Sequence, residues 1–399
     1  MGRASWDNAD KRSIPLTTIR NFLSEKRYRK IRIALMTIAI LCVCEACARI
    51  YFARPDLVIR NAGNNDQAMQ YLLEQLHRYK GQGERVVFIG SSVMQGYINA
   101  YDNRTFPSMA QKILREKYGY KKLKTFNMGV AGNHFADNLC VLNQVLKEEP
   151  DAIMHAIHFK LFSTHRAKPI TRENNIYYLR GHPEFRKYFK RFNISPKNFI
   201  AIYLDNKIGE LFKLYGHKDL ITHLVTGAEH VPMEQIERSF QETFGFLNEE
   251  ALLARFNKPE DHNQEYLWKL LPKPLLKQNY EICGNFNFTD TNDAWLNFRD
   301  ENKLARQKDQ TILWYFTPMN RAFVEERNFF NWRTTIPVYK DSVYSNIRQY
   351  DHQLLDYSLS VDTANFSDTD HITMNGHKQV ARRAAKDINK FLKKKRRRR

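Results

Sequence analysis

The sequence predicts an α/β fold: a central parallel β-sheet covered by helices, a largely helical insertion, and one N-terminal transmembrane helix. Three observations lead there. Short apolar runs ending in glycine alternate with stretches of helical spacing. A run of about 145 residues between the third and fourth strands is instead rich in aromatic and basic residues. Near the N-terminus, "IRIALMTIAILCVCEACARIYFARP" is uncharged from Ile33 to Cys44, 12 residues.

The elements follow in order. Residues 1–32 form a basic segment, and 33–53 are long enough for a spanning helix, which needs about 20 mostly apolar residues. Glu45 interrupts the span near its far end, with Arg49 four residues later on the same helical face. A cleaved signal peptide is the competing reading, with "ACA" at 46–48 as the small-residue site, but a 30-residue polar lead-in is long for one. Lys26, Arg27, Arg29, Lys30 and Arg32 place the N-terminus in the cytoplasm and the rest of the chain on the periplasmic or extracellular side.

The first part of the α/β domain covers 54–164. "NDQAMQYLLEQLHRYKGQGE" is helical until Gly81 and Gly83, and "RVVFIG" is a buried-type strand. "PSMAQKILREKYGY" is an amphipathic helix opened by Pro107, "LKTFNMGVAG" a second strand, "NLCVLNQVLKEEP" a helix and "DAIMHAIHF" a third strand. Residues 165–310 form the helical insertion or cap, exemplified by "YYLRGHPEFRKYFKRF" and "PMEQIERSFQETFGFLNEEALLARF". Whether it only packs on the sheet or forms a substrate groove stays open. Residues 311–392 complete the domain with "QTILWYFTP", "QLLDYSL" and a closing helix, "GHKQVARRAAKDINKFL". Residues 393–399 are a polybasic tail, a run expected to be disordered and solvated. Strands alternating with helices argue for parallel pairing, and in such sheets sites lie at the carboxyl ends of the strands.

The formal net charge is +20, but the two ends hold 13 of it: +7 in the tail and +6 in residues 1–32. A nucleic-acid binder spreads its basic residues over a folded face, so no nucleic-acid partner is expected. Of five cysteines, Cys42, Cys44 and Cys47 lie in the span, which leaves Cys140 and Cys283 for at most one external disulfide. No metal-ligand spacing occurs, and no cofactor is called for.

Chemistry is suggested at three strand ends. In "VVFIGSSVMQG", Ser91 and Ser92 follow the first strand at a tight turn. "GVAG" places Gly129 and Gly132 after the second. "FSDTDHITMNGHKQVA" brings Asp368 and His371, three apart, before the final helix. A serine becomes a nucleophile when a base lies in hydrogen-bond reach and a third group orients that base. Backbone N–H groups in glycine-rich turns are natural donors for an oxyanion. Asp370 competes with Asp368 as the orienting acid. His377, on the final helix, reads as a surface group.

This ordered set resembles the SGNH/GDSL hydrolase superfamily over about 84–165 and 311–392. "IGSSVMQG" is similar to its first block, with Ser92 at the nucleophile position, Gly96 at the trailing glycine and Ser91 where the family commonly has Asp. "NMGVAGN" is similar to the second block, with Gly132 at the oxyanion-hole glycine, and "SDTDHITMNGH" to the last, with Asp368 and His371 as acid and base. Met94 rules out the G-x-S-x-G elbow of α/β-hydrolases. The third block departs from the family: "HAIHFKLFSTH" lacks the Asn that donates to the oxyanion, leaving His158, Lys160, Ser163 or Asn133 as candidate replacements.

The resemblance implies an SGNH-type three-layer sandwich, with Ser92, Asp368 and His371 catalytic and the N–H groups of Ser92 and Gly132 in the oxyanion hole. The single span, the long insertion and "TPMNRAFVEE", with Pro318 and Asn320, are similar to membrane-anchored DltD-like and alginate-acetylation-like members of bacterial envelopes. They imply a serine esterase or O-acyltransferase acting on ester-linked acyl groups of an envelope polymer or glycan. Its partners would be the membrane lipid bilayer, that acylated polymer or glycan, and a multi-span membrane acyltransferase. A non-catalytic partner of such an acyltransferase and a membrane-surface (lyso)phospholipase are the alternatives.

Overall fold

The computed structural model describes residues 29–53, 66–95, 105–130, 132–163, 173–218, 221, 286–326, 328, 330–366 and 369–398. It begins with helix α1 (Arg29–Phe52), whose length and apolar composition are those shared by membrane spans and signal sequences. Its apolar side chains are almost all exposed; only Ala48 and Phe52, near its end, are buried.

After α2 (Asp66–Arg78) come β1 (Arg85–Gly90), the short α3 (Ser92–Gln95), α4 (Phe106–Tyr118) and β2 (Lys124–Gly129). Then follow α5 (Phe135–Val145), β3 (Ala152–Ile157), a 3₁₀ turn at Phe159–Phe162 and another at Glu173–Leu179. Next are α6 (Phe185–Arg191), α7 (Pro196–Leu211), α8 (Lys213–Gly216) and α9 (Asp293–Gln307). The chain closes with β4 (Ile312–Phe316), α10 (Arg321–Glu326), α11 (Trp332–Gln349), β5 (Gln353–Asp356) and α12 (Met374–Arg398). The five strands read from the sequence are the five strands of the sheet.

They pair in the order β2-β1-β3-β4-β5, every pair parallel. The register sets Gly90 opposite Gly129, and Phe316 opposite both Ile157 and Asp356, so the carboxyl ends lie level. Every residue of β1, β3 and β4 is buried, as expected of inner strands covered on both faces, whereas edge strands β2 and β5 are partly open. The chain steps outward from β1 to β2, then returns to lay β3 on the other side of β1. That reversal opens a crevice beyond the carboxyl ends of β1 and β3.

Helices cover both faces. On one, α12 packs along α4, with Val380, Ala381, Ala384 and Ile388 turned inward. On the other, α5, α9 and α11 meet in an aromatic cluster of Phe135, Phe162, Phe298 and Tyr339. Helix α9 lies within the stretch read as an insertion, yet Phe298 and Leu304 bring it into the main core. The longer quoted helical run of that insertion, 232–256, lies outside the described residues.

Glu45, the flaw in the apolar span, is satisfied in three ways. Its carboxylate pairs with Arg49 at 2.8 Å and accepts the backbone N–H groups of Lys213 (2.8 Å) and Leu214 (2.9 Å). Residues 393–398 of the basic run are also helical, contrary to the expectation for a like-charged run. They continue α12 to Arg398, because Lys395 donates to the carbonyls of Pro150 and Asp151, and Arg396 pairs with Glu84 and covers the Tyr120 ring.

Candidate active site

Ser92 opens α3 immediately beyond β1, half-buried at the crevice. The turn before it needs Gly90, since a Cβ there would come within 2.8 Å of Ala156 Cβ and 3.3 Å of Met94 Cβ. Met94, the residue that breaks the α/β-hydrolase pattern, is a core anchor for the turn: its backbone N–H returns to Ser91 O at 3.0 Å and its side chain is fully buried. Asn127 ties the neighbouring strand to this turn, donating through Nδ2 to Met94 O (3.0 Å) and accepting Gly129 N–H (3.1 Å). Asn127 stands in "NMGVAGN", where neither charge nor spacing marks it for this task.

His371 reaches Ser92 from the far end of the chain, with Nε2 2.8 Å from Oγ. The loop that carries it is held on both sides. An antiparallel bridge pairs Phe366 with Ile372, and Thr373 N–H returns to Asn365 O at 2.9 Å. Asn320, buried at the end of β4, donates its backbone N–H to Thr369 O at 2.7 Å while its Oδ1 accepts Phe323 N–H at the start of α10. Asp368, the expected orienting acid, and Gly96, the trailing glycine, lie outside the described residues.

Asp370 has a different task from the one weighed for it. Its Oδ2 accepts from His158 Nε2 at 2.6 Å, and its Oδ1 from Lys160 Nζ and Thr369 Oγ1, each at 2.5 Å. His158 Nδ1 accepts the backbone N–H of Lys160 (3.2 Å), which leaves the ring proton on Nε2, facing Asp370. Burial alone would raise the Asp370 carboxyl, but Lys160, His158 and His371 hold it well below the usual range. Burial lowers His158 against the opposing pull of Asp370, which keeps its ring neutral. The two polar residues that follow β3 are thus bound to the carboxylate beside His371, and they pin the histidine loop to the sheet. Ser163, the third replacement considered there, is fully buried in a bridge with Phe286.

Gly132 adopts φ +76°, a left-handed conformation that favours glycine, in the turn after β2. Asn133 follows it, buried, with its amide donating to Asn138 Oδ1 at 3.4 Å. That contact ties Asn133 to α5, while its side-chain Oδ1 has no hydrogen-bond partner among the described residues.

His377 is a correction to the sequence analysis: it is buried rather than on the surface. Its Nδ1 accepts Phe106 N–H at 3.1 Å, capping α4, and its ring stacks on Phe106. Burial, with His371 nearby, lowers it to about 3, so it stays neutral. Among the described residues no cluster of His, Cys, Asp and Glu is suited to a metal ion. Cys140 is buried and unbridged, and Cys283 lies outside the described residues.

No protein-family model matches the chain, and no curated protein matches it. Among the solved structures similar to it, at low identity, are the following. One is LAE5, described as an alpha/beta hydrolase enzyme from the metagenome of Lake Arreo, Spain, at 12% identity and TM-score 0.35, covering 78% of this chain and 98% of that one. Another is a mutant of Axe2, an acetyl-xylooligosaccharide esterase from Geobacillus Stearmophilus, at 13% identity and TM-score 0.36, covering 77% and 95%.

Proposed function

We propose that the chain is a membrane-anchored serine esterase or O-acyltransferase of the SGNH/GDSL kind. It would act through an acyl-Ser92 intermediate on ester-linked acyl groups of a cell-envelope polymer or glycan. The observation that carries this reading is the 2.8 Å contact between His371 Nε2 and Ser92 Oγ at the crevice between β1 and β3. A hydroxyl and an imidazole from segments 279 residues apart meet where a parallel sheet presents its ligands.

The steps balance with these groups alone. His371 Nε2 takes the Ser92 proton as Oγ bonds to the ester carbonyl carbon. The negative carbonyl oxygen is received by the backbone N–H groups of Ser92 and Gly132. The bond to the leaving alcohol breaks and His371 returns the proton to that oxygen. Water, or a hydroxyl of a second glycan, then gives its proton to His371 as its oxygen bonds to the acyl carbon; the bond from that carbon to Ser92 Oγ breaks, and His371 returns the proton to Oγ. Asp368 is assigned by the resemblance to hold the His371 ring. The Lys160–Asp370–His158 cluster keeps the histidine loop in register.

The N-terminal helix would anchor the domain, with its site on the periplasmic or extracellular side and a multi-span acyltransferase as an acyl-supplying partner. A test compares acyl release from a small chromogenic ester and from an O-acetylated glycan, using full-length protein and Ser92→Ala. Turnover that disappears in the variant supports the reading. Equal rates in both would overturn it and leave the non-catalytic partner.

A further inference from the structure

We propose that helix α7 is an interfacial membrane helix whose outer face lies in the headgroup layer of the bilayer beside the point where α1 leaves it. The proposal rests on α1 being the membrane anchor. On α7, Ile200, Leu204, Ile208 and Leu211 are 58%, 54%, 44% and 63% exposed, and Phe212 just beyond is 56% exposed. Their spacing of four, four and three residues puts them on one face of the helix. The opposite face is already occupied, with Phe199 and Ile202 against the core and Glu210 on Tyr177 and Arg180. A helix apolar on its buried side and again on its open side has a second apolar neighbour to account for.

The join to α1 says what that neighbour is. Glu45 lies seven residues before Phe52, about 10 Å inside the end of a helix rising 1.5 Å per residue. At that depth its carboxylate takes the N–H groups of Lys213 and Leu214, and Arg49 donates to Leu211 O. The last turn of α7 therefore meets α1 short of its end, at the boundary between acyl chains and headgroups where amphipathic helices lie. The open faces of α1 and α7 then form one continuous apolar surface, and the bilayer that takes the first takes the second.

The rest of the fold agrees. Arg180, paired with Glu210 of α7, also receives Lys147 on its carbonyl, from the segment leading to β3. The basic end of α12 docks on the same segment at Pro150 and Asp151. So α7 is joined to the amino ends of the strands, together with a cluster of cations suited to anionic headgroups. Ser92 stands at the opposite ends. The site then opens away from lipid, which suits a polymer acceptor outside the bilayer better than a bilayer lipid.

The test places the photo-crosslinker benzoylphenylalanine, one position at a time, at Leu204, Ile208, Ile40 and Leu359 of the full chain. The protein is held in nanodiscs of mixed phosphatidylglycerol and phosphatidylethanolamine. Ile40, in the middle of α1, reports the anchor, and exposed Leu359, after β5, is the control. Lipid adducts at 204 and 208 several-fold above those at 359, alongside adducts at 40, are the expected result. Adducts at 40 with crosslinks from 204 and 208 only to protein, whether to this chain or to a second copy, would overturn the proposal and leave the anchor standing. No lipid adduct at 40 would overturn both.

Discussion

Two histidines three residues apart, one in β3 and one just after it, each face a buried acid, and the two acids differ in charge. His155 lies 3.1 Å from Glu301, both fully buried, with the atoms poorly aligned for a hydrogen bond. Burial lowers His155 to about 3 and raises Glu301 well above the usual range, so both are neutral. His158 faces Asp370 at 2.6 Å, nearly as buried, yet Asp370 stays ionised because Lys160 reaches its other oxygen. Burial decides the charge in the core, and one cation from the strand end reverses that decision at the crevice. The ionised cluster is where the loop carrying His371 needs a fixed point; the neutral pair only fills space between β3 and α9.

On that division Ser92 and His371 control turnover, and the ionised cluster beside them carries more stability than the neutral pair in the core. The largest expected effect is on activity: Ser92→Ala or His371→Ala lowers ester turnover by at least about 10³-fold. The urea midpoint should move by no more than about 0.5 kcal/mol equivalent in Ser92→Ala, a half-buried position.

Next is Lys160→Met, which leaves the Asp370 carboxylate buried without its cation and should cost about 3–5 kcal/mol in urea unfolding. Glu301→Gln replaces a protonated acid by a neutral amide of the same shape and should cost about 1 kcal/mol or less. Equal losses in these two variants would break the comparison.

The pH dependence sharpens it further. His155 and His377 both have folded values of about 3, below the ordinary 6.5. Their contribution is therefore complete above 6.5 and is lost as pH falls toward 3, with a slope of up to about 1.4 kcal/mol per pH unit for each proton. Asp370, also depressed, adds its own loss only below its ordinary 3.8. Glu301, raised, acts in the other direction and loses its contribution as pH rises above about 4.5. Urea midpoints from pH 7 to 4 should decline in the wild type, and less steeply in His155→Gln. Gly132→Ala should cost about 1 kcal/mol in urea unfolding, from the left-handed φ with no clash at the new Cβ.

The sheet was legible because inner strands buried on both faces must be short unbroken apolar runs, as "VVFIG" and "ILWYF" are. The approach of His371 to Ser92 could be anticipated because Ser92 follows a strand and His371 precedes a helix, with glycines nearby. The cluster on Asp370 was not: His158, Lys160 and Asp370 were each noticed, but their meeting depends on β3 lying beside β4 and on Asn320 holding Thr369. His377 left a signal that went unused, since it precedes Val380 and Ala381 by three and four residues on the inward face of α12. Helix α11 was hidden by Pro337 in its first turns, with Asn331 capping it. The ordered basic tail could not be read from charge alone, because Glu84 and the carbonyls of Pro150 and Asp151 that receive it belong to distant turns.

The central claim is that His371 activates Ser92 as a nucleophile, and trapping the serine tests it most directly. Full-length protein in detergent is treated with a fluorophosphonate, and the adduct is located by peptide mass in wild type, Ser92→Ala and His371→Ala. One adduct on Ser92, absent from both variants, is the predicted result. Folded wild-type protein that stays unlabelled, or labelling that survives Ser92→Ala, would contradict it.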